Sequence, residues 1–166
     1  ATGASLMVDY VTGHVARGRG RLQVERTPYA MEPAIKSLER FKHIILVNTK
    51  PPVGFFGYPG MPSTQYAPGT NLQVLTRPDQ DPLKALNSLV SALNAPDVAI
   101  PDPGLRPEAA SGAPTPEGLA QTVAALMPEN AIIADESVSY GRGFYKFGHS
   151  APAHDWLHVT GGAIGG

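Results

Sequence analysis

Three stretches of this chain open on a proline and then repeat apolar residues at helical spacing, and the short apolar runs between them lack polar alternation. The first covers residues 33–41, with Ile35, Leu38 and Phe41 on one face. A second follows Asp81-Pro82, a cap and first-turn pair, and carries Leu83, Leu86, Leu89, Val90 and Leu93. The third follows Thr115-Pro116, with Leu119, Val123, Leu126 and Met127 directed inward. A proline in the first helical turn costs nothing, because its missing N–H has no partner there. Between these helices lie two strands, residues 43–48, where Ile44-Ile45-Leu46-Val47 is apolar on both faces, and residues 72–75. Leu6-Met7-Val8 makes a further short strand within residues 5–9. Strands alternating with amphipathic helices predict an α/β fold, a mostly parallel sheet with flanking helices.

Seventeen prolines and eighteen glycines in 166 residues fall at element boundaries rather than in a low-complexity tract. Residues 10–29 read as a polar loop containing Gly13, Gly18, Gly20 and the basic cluster Arg17, Arg19, Arg21. Residues 49–68 form a Pro/Gly/aromatic loop after the strand tip at Asn48, where Phe55, Phe56 and Tyr58 either wall a small-molecule pocket or pack on themselves. Residues 95–114 hold Pro96, Pro101, Pro103, Pro107 and Pro114 with almost no apolar periodicity, the mark of an extended linker between two domains. The chain starts almost directly on a strand and stops inside a glycine run, so both ends are expected to be cuts through a longer protein.

The densest site chemistry lies in residues 131–166. Ile132 and Ile133 lead into Asp135, Glu136 and Ser137, the pattern of a buried parallel strand turning polar at its carboxyl tip. Open α/β sheets bind ligands at such tips. Ser137, Ser139 and the nearby backbone N–H groups can donate to an anion such as a phosphate, with Gly141 and Gly143 allowing close approach. A second apolar run, residues 156–159, enters Gly161-Gly162-Ala163-Ile164-Gly165-Gly166, where one bulky side chain stands among bare backbone. That arrangement suits a flat ring, and equally a glycine-rich turn that holds no cofactor.

This run resembles the opening of the diphosphate-binding domain of thiamine-diphosphate-dependent 2-keto acid enzymes, nearest to acetolactate synthase large subunits. The resemblance rests on Asp135-Glu136-Ser137-Val138-Ser139, which in the family lies beside the diphosphate, and on Gly162-Ala163-Ile164-Gly165, which holds the bent cofactor. It implies that Glu136, Ser137, Val138, Ser139, Gly162, Ala163 and Ile164 are cofactor-binding, that the Gly162 carbonyl accepts from the aminopyrimidine, and that Ile164 wedges between the two rings. The RGRGRLQVERTPY run and residues 49–68 are similar to the family's middle domain. Residues 1–95 are then a partial, Rossmann-like middle domain, residues 96–114 a proline-rich linker, and residues 115–166 the first βα portion of the next domain.

The resemblance further implies decarboxylation of a 2-keto acid such as pyruvate and transfer of the resulting carbon unit to a second carbonyl compound. A sulfoacetaldehyde or benzoylformate-type enzyme shares most of these features. Thiamine diphosphate and Mg2+ are the cofactors implied for the full-length enzyme. The activating glutamate and the magnesium ligands are expected in N- and C-terminal portions outside this chain, so no catalytic residue or metal ligand is assigned within it. Some members hold FAD against the middle domain, but no residue set here requires it. A carboxylate beside a diphosphate repels it, so Glu136 takes at most a structural or hydrogen-bonding role. Family sites form between subunits, which implies a homo-oligomer for the complete protein.

Other classes have weaker support. A formal net charge of -1 gives no electrostatic reason for nucleic acid or anionic membrane as a partner, and no stacking aromatics interleave the RGRGR run. No cysteine exists to form a disulfide, a thiolate zinc site or a nucleophile, which allows a reduced, cytoplasmic setting. No apolar run approaches the ~20 residues of a membrane span. His154 and His158 have metal-pair spacing only if helical, and Pro152 with the glycines downstream argues for loop and strand. No G-x-G-x-x-G, P-loop or G-x-S-x-G motif is complete. The alternative to an enzyme fragment is a non-catalytic α/β binding or oligomerisation domain whose loop at Phe55, Phe56 and Tyr58 meets a partner.

Overall fold

The computed structural model of the chain describes residues 2–137 and 143–159 and divides them into two compact units. One comprises residues up to Tyr10 together with Glu25–Asp97, and the other Val11–Val24 together with the chain from Val98 onward. Among the described residues no helix is long and apolar enough to cross a membrane.

The first unit contains β1 (Met7–Val8), β3 (Glu25–Arg26), α1 (Met31–Leu38), β4 (His43–Val47), β5 (Asn71–Thr76) and α2 (Pro82–Ala92). Its strands form two parallel pairs, β1 with β3 and β4 with β5. The α/β character predicted from the alternation of strands and helices is what the chain adopts. α1 starts at Met31, two residues before the expected proline, so Pro33 occupies the third helical position, still within the turn whose N–H groups lack partners. Its buried face is Met31, Ala34 and Leu38. α2 begins as expected: the Asp81 carboxylate accepts from the N–H groups of Leu83 and Lys84, with Pro82 at the first position. It ends on Asn94 at φ 45°, and the Asn94 and Ala95 N–H groups close onto the carbonyls of Ser91 and Val90. Its apolar face is largely uncovered, with Leu83 72% exposed.

The long loop is tied by the Val53–Thr64 bridge and by the Gly54 N–H donating to Ser63 O at 2.7 Å. Its aromatics pack in sequence against Tyr29 and Tyr10, with Tyr29 to Phe55 at 5.8 Å and Phe55 to Phe56 at 4.7 Å between centroids. Arg26 lies 4.6 Å over the Tyr10 ring. The loop therefore packs on neighbouring rings, and Phe56 keeps 55% of its surface in solvent.

The second unit holds β2 (His14–Arg17), α3 (Pro116–Leu126), β6 (Ala131–Asp135), α4 (Phe144–Phe147) and β7 (His154–His158). Its sheet runs β2-β7-β6, with β7 parallel to β6 and antiparallel to β2. The core is Ala124, Met127, Ala151 and Trp156, flanked by Val123, Ala131, Ile133, Phe144 and Phe147. Three sequence expectations are corrected here. Residues 14–17 form a strand rather than loop, with Val15 and Arg17 buried and His14 and Ala16 outward. α3 buries Ala120 and Ala124 in place of Leu119 and Leu126, the latter 71% exposed, because small side chains allow close approach to the sheet and α4. β6 is covered on one face only, since Ile133 points inward and Ile132 outward. The proline-rich stretch is held along α3: Arg106 donates from Nε to Ala124 O at 3.1 Å and from Nη2 to Met127 O, capping the carbonyl end of the helix.

Candidate functional site

The parallel pairing of β6 and β7 sets the geometry of the candidate site. Ala131 pairs with His154 and Asp135 with His158, so the two strands end level at the same carboxyl edge. A weak backbone bond from Val159 N–H to Asp135 O, 3.4 Å, extends the register one residue further. From this edge the chain continues on one side into Glu136 and Ser137 and on the other beyond Val159 toward the glycine run. The described tips thus lie on adjacent strands, and the residues with predicted cofactor contacts follow them in the sequence. Glu136 and Ser137 are exposed at the tip. Val138, Ser139, Gly162, Ala163 and Ile164 lie outside the described residues.

Asp135 organises what is described. One carboxylate oxygen, Oδ1, accepts from Ser137 N–H at 2.9 Å and from the Ser137 hydroxyl. The other, Oδ2, accepts from Trp156 Nε1 at 3.2 Å and stands 3.8 Å from His158 Nδ1. Trp156 is 1% exposed and fills the core beneath, its ring 6.1 Å from that of Phe144. Asp135 and Trp156 therefore tie the strand tip to the core, a link the sequence hints at only through the acidic residue at the end of an apolar run.

A second cluster lies around Arg17. Its side chain is buried, stacks with its guanidinium carbon 3.3 Å from the Tyr145 ring centroid, and donates to Tyr145 O. Its Nη2 also lies 3.4 Å from His149 Nδ1. His154, opposite Arg17 across the strands, gives its Nδ1 proton to Pro152 O at 2.7 Å, since a carbonyl only accepts. Burial, and then the Arg17 charge, hold both His149 and His154 below the usual imidazole range; the Pro152 bond and Asp155 oppose this at His154. His154 is buried and His149 half-buried, and with their proton affinity lowered they act as packing and hydrogen-bonding groups. On the outer face His14 Nε2 meets Asp155 Oδ1 at 2.8 Å.

His154 and His158 share one face of β7, yet four residue steps of strand place them about 13 Å apart. Among the described residues no group of three or more His, Cys, Asp or Glu side chains is placed to hold a metal ion. For thiamine diphosphate the described tip supplies an exposed parallel edge and a serine hydroxyl, which fit a cofactor seat. The carboxylates of Asp135 and Glu136 also stand at this tip, so an anionic diphosphate needs a compensating cation.

No protein-family model and no solved structure matches the chain. A Mycobacterium tuberculosis protein named "Putative acetolactate synthase large subunit IlvX" is 41% identical over 168 aligned residues, which cover 99% of this chain and 32% of that relative. The chain thus spans about a third of the length of the relative it matches. Along nearly its whole length, then, the chain is similar to one stretch of a protein named for an acetolactate synthase large subunit.

Proposed function

We propose that this chain is a segment of a thiamine-diphosphate-dependent enzyme that decarboxylates a 2-keto acid and transfers the carbon unit, as an acetolactate synthase does. The observation that supports the reading is the level, parallel ending of β6 and β7 at one carboxyl edge, after which the two segments proposed to bind cofactor follow in the sequence. Ligands of α/β sheets bind outside such edges. Residues 1–95 contribute part of a middle domain, residues 96–114 a connection, and residues 115–166 the opening of the diphosphate domain, to whose sheet β2 adds an edge strand.

Within that enzyme the chain's own duties are binding and orientation. Glu136, Ser137, Val138 and Ser139 line the diphosphate, with Glu136 as a structural or hydrogen-bonding group. The segment with Gly162, Ala163 and Ile164 holds the bent cofactor: the Gly162 carbonyl accepts from the aminopyrimidine and Ile164 wedges between the two rings. When bound, thiamine diphosphate supplies the electron sink for loss of carbon dioxide. Magnesium and the activating carboxylate are assigned to polypeptide beyond these 166 residues, so the isolated chain neither holds the cofactor tightly nor turns over pyruvate. The test is an assay of the complete coding region's product with pyruvate, thiamine diphosphate and Mg2+. Acetolactate or a related carboligation product supports the reading, and cofactor-independent product or none from any 2-keto acid refutes it.

A further inference from the structure

Asp135 accepts hydrogen bonds from two sides, from Ser137 and from the indole of Trp156. A carboxylate accepts on both oxygens, whereas an asparagine in its place presents one oxygen and one NH2. Oδ1 already takes two donors from Ser137, and Oδ2 takes the indole N–H of Trp156. An amide cannot serve both sides without turning a donor against a donor. With 13% of its side chain exposed, Asp135 has little water available to replace a lost partner.

This arrangement also fixes the direction of the Ser137 hydroxyl. Its O–H points at Asp135, because the carboxylate has no proton to give, and the serine oxygen keeps only acceptor capacity for anything outside. A phosphate oxygen accepts as well, so Ser137 so held presents itself to a donor, such as an N–H group of the ligand or a water carried by its metal.

We propose that Asp135 is a positioning residue of the strand tip: anchored to the core through Trp156, it takes both donors of Ser137 and leaves the Ser137 oxygen facing the ligand as an acceptor. This rests on the thiamine diphosphate reading above for the identity of the ligand, while the Trp156–Asp135–Ser137 chain itself does not.

The experiment is a double-mutant cycle on the complete protein, titrated calorimetrically with thiamine diphosphate and Mg2+. Ser137→Ala and Asp135→Asn are each expected to weaken binding about tenfold, the effect of one polar contact. Because Asp135 acts through Ser137, the double variant is expected to be about tenfold weaker as well. A double variant about a hundredfold weaker makes the Asp135 effect independent of Ser137 and overturns the proposal, as does Asp135→Asn binding like wild type or more tightly. Trp156→Phe keeps a ring in the core while removing the Oδ2 donor, and is expected to weaken binding several-fold with the same dependence on Ser137. A readout free of the cofactor is the emission of Trp156, the chain's one tryptophan, in the 166-residue chain. Asp135→Asn is expected to shift it and Ser137→Ala to leave it nearly unchanged; an unshifted emission in Asp135→Asn overturns the anchoring. Absence of cofactor binding by the wild-type complete protein, with the emission shift present, overturns the functional reading and spares the anchoring.

Discussion

Replacing Arg17 with methionine removes a buried guanidinium while keeping most of the stem that packs beside it. The group is 3% exposed, its carbon is 3.3 Å from the Tyr145 ring centroid and 5.6 Å from that of Trp156, and it donates to Tyr145 O. A desolvated cation over a ring contributes about 2 kcal/mol and a charged hydrogen bond about 1.5–3 kcal/mol, from which the desolvation of the ion must be subtracted. A net loss of about 2 kcal/mol is expected, a substantial part of the roughly 5–15 kcal/mol that holds a domain together. Urea unfolding followed by Trp156 fluorescence reads it, since that residue lies in the same unit. Loss of the Arg17 charge also lets the His149 and His154 pKa values rise, which NMR of the imidazoles detects. A stability change below about 0.5 kcal/mol together with unmoved histidines refutes the reading of Arg17 as a stabilising buried cation stacked on Tyr145.

The same histidines set a pH dependence. Their folded-state pKa values lie below the unfolded value of 6.5, so the folded form binds protons less readily. Their contribution is complete above about pH 6.5 and is lost as the pH falls below it, so acid is expected to lower the urea midpoint of the second unit. His149→Asn together with His154→Asn should flatten that slope, and an unchanged slope would count against it. Gly18→Ala is expected to cost about 3 kcal/mol or more: the position has φ 91°, and an added Cβ meets Ala151 O at 2.9 Å and overlaps the Pro152 carbonyl. Gly20→Ala, at φ 72° in open space, should cost only about 1 kcal/mol in thermal or urea unfolding, and equal costs for the two would contradict the crowding at Gly18.

Much of this fold is legible in the sequence because its signals are local. Asp81-Pro82 and Thr115-Pro116 start α2 and α3 by capping that needs nothing beyond the next turn. The unbroken run at Ile44-Ile45-Leu46-Val47 reads as β4 because charge and proline are absent from it. β2 is hidden for the opposite reason: its buried Arg17 looks like a solvated charge, and the Tyr145 ring that shelters it is 128 residues away. α4 has four residues, too few for a helical period to show. The face of α3 misleads because alanines, not the larger leucines, make its close contacts. At the candidate site the acidic tip is visible, whereas the double duty of Asp135 depends on where β7 places Trp156.

The most direct test of the central claim is calorimetric titration of thiamine diphosphate with Mg2+ into the complete protein, beside the same titration of the 166-residue chain. Saturable binding by the complete protein, weakened by Ile164→Ala, and none of comparable strength by the chain alone is the predicted result. Micromolar binding by the chain alone, or no binding by the complete protein, would contradict it.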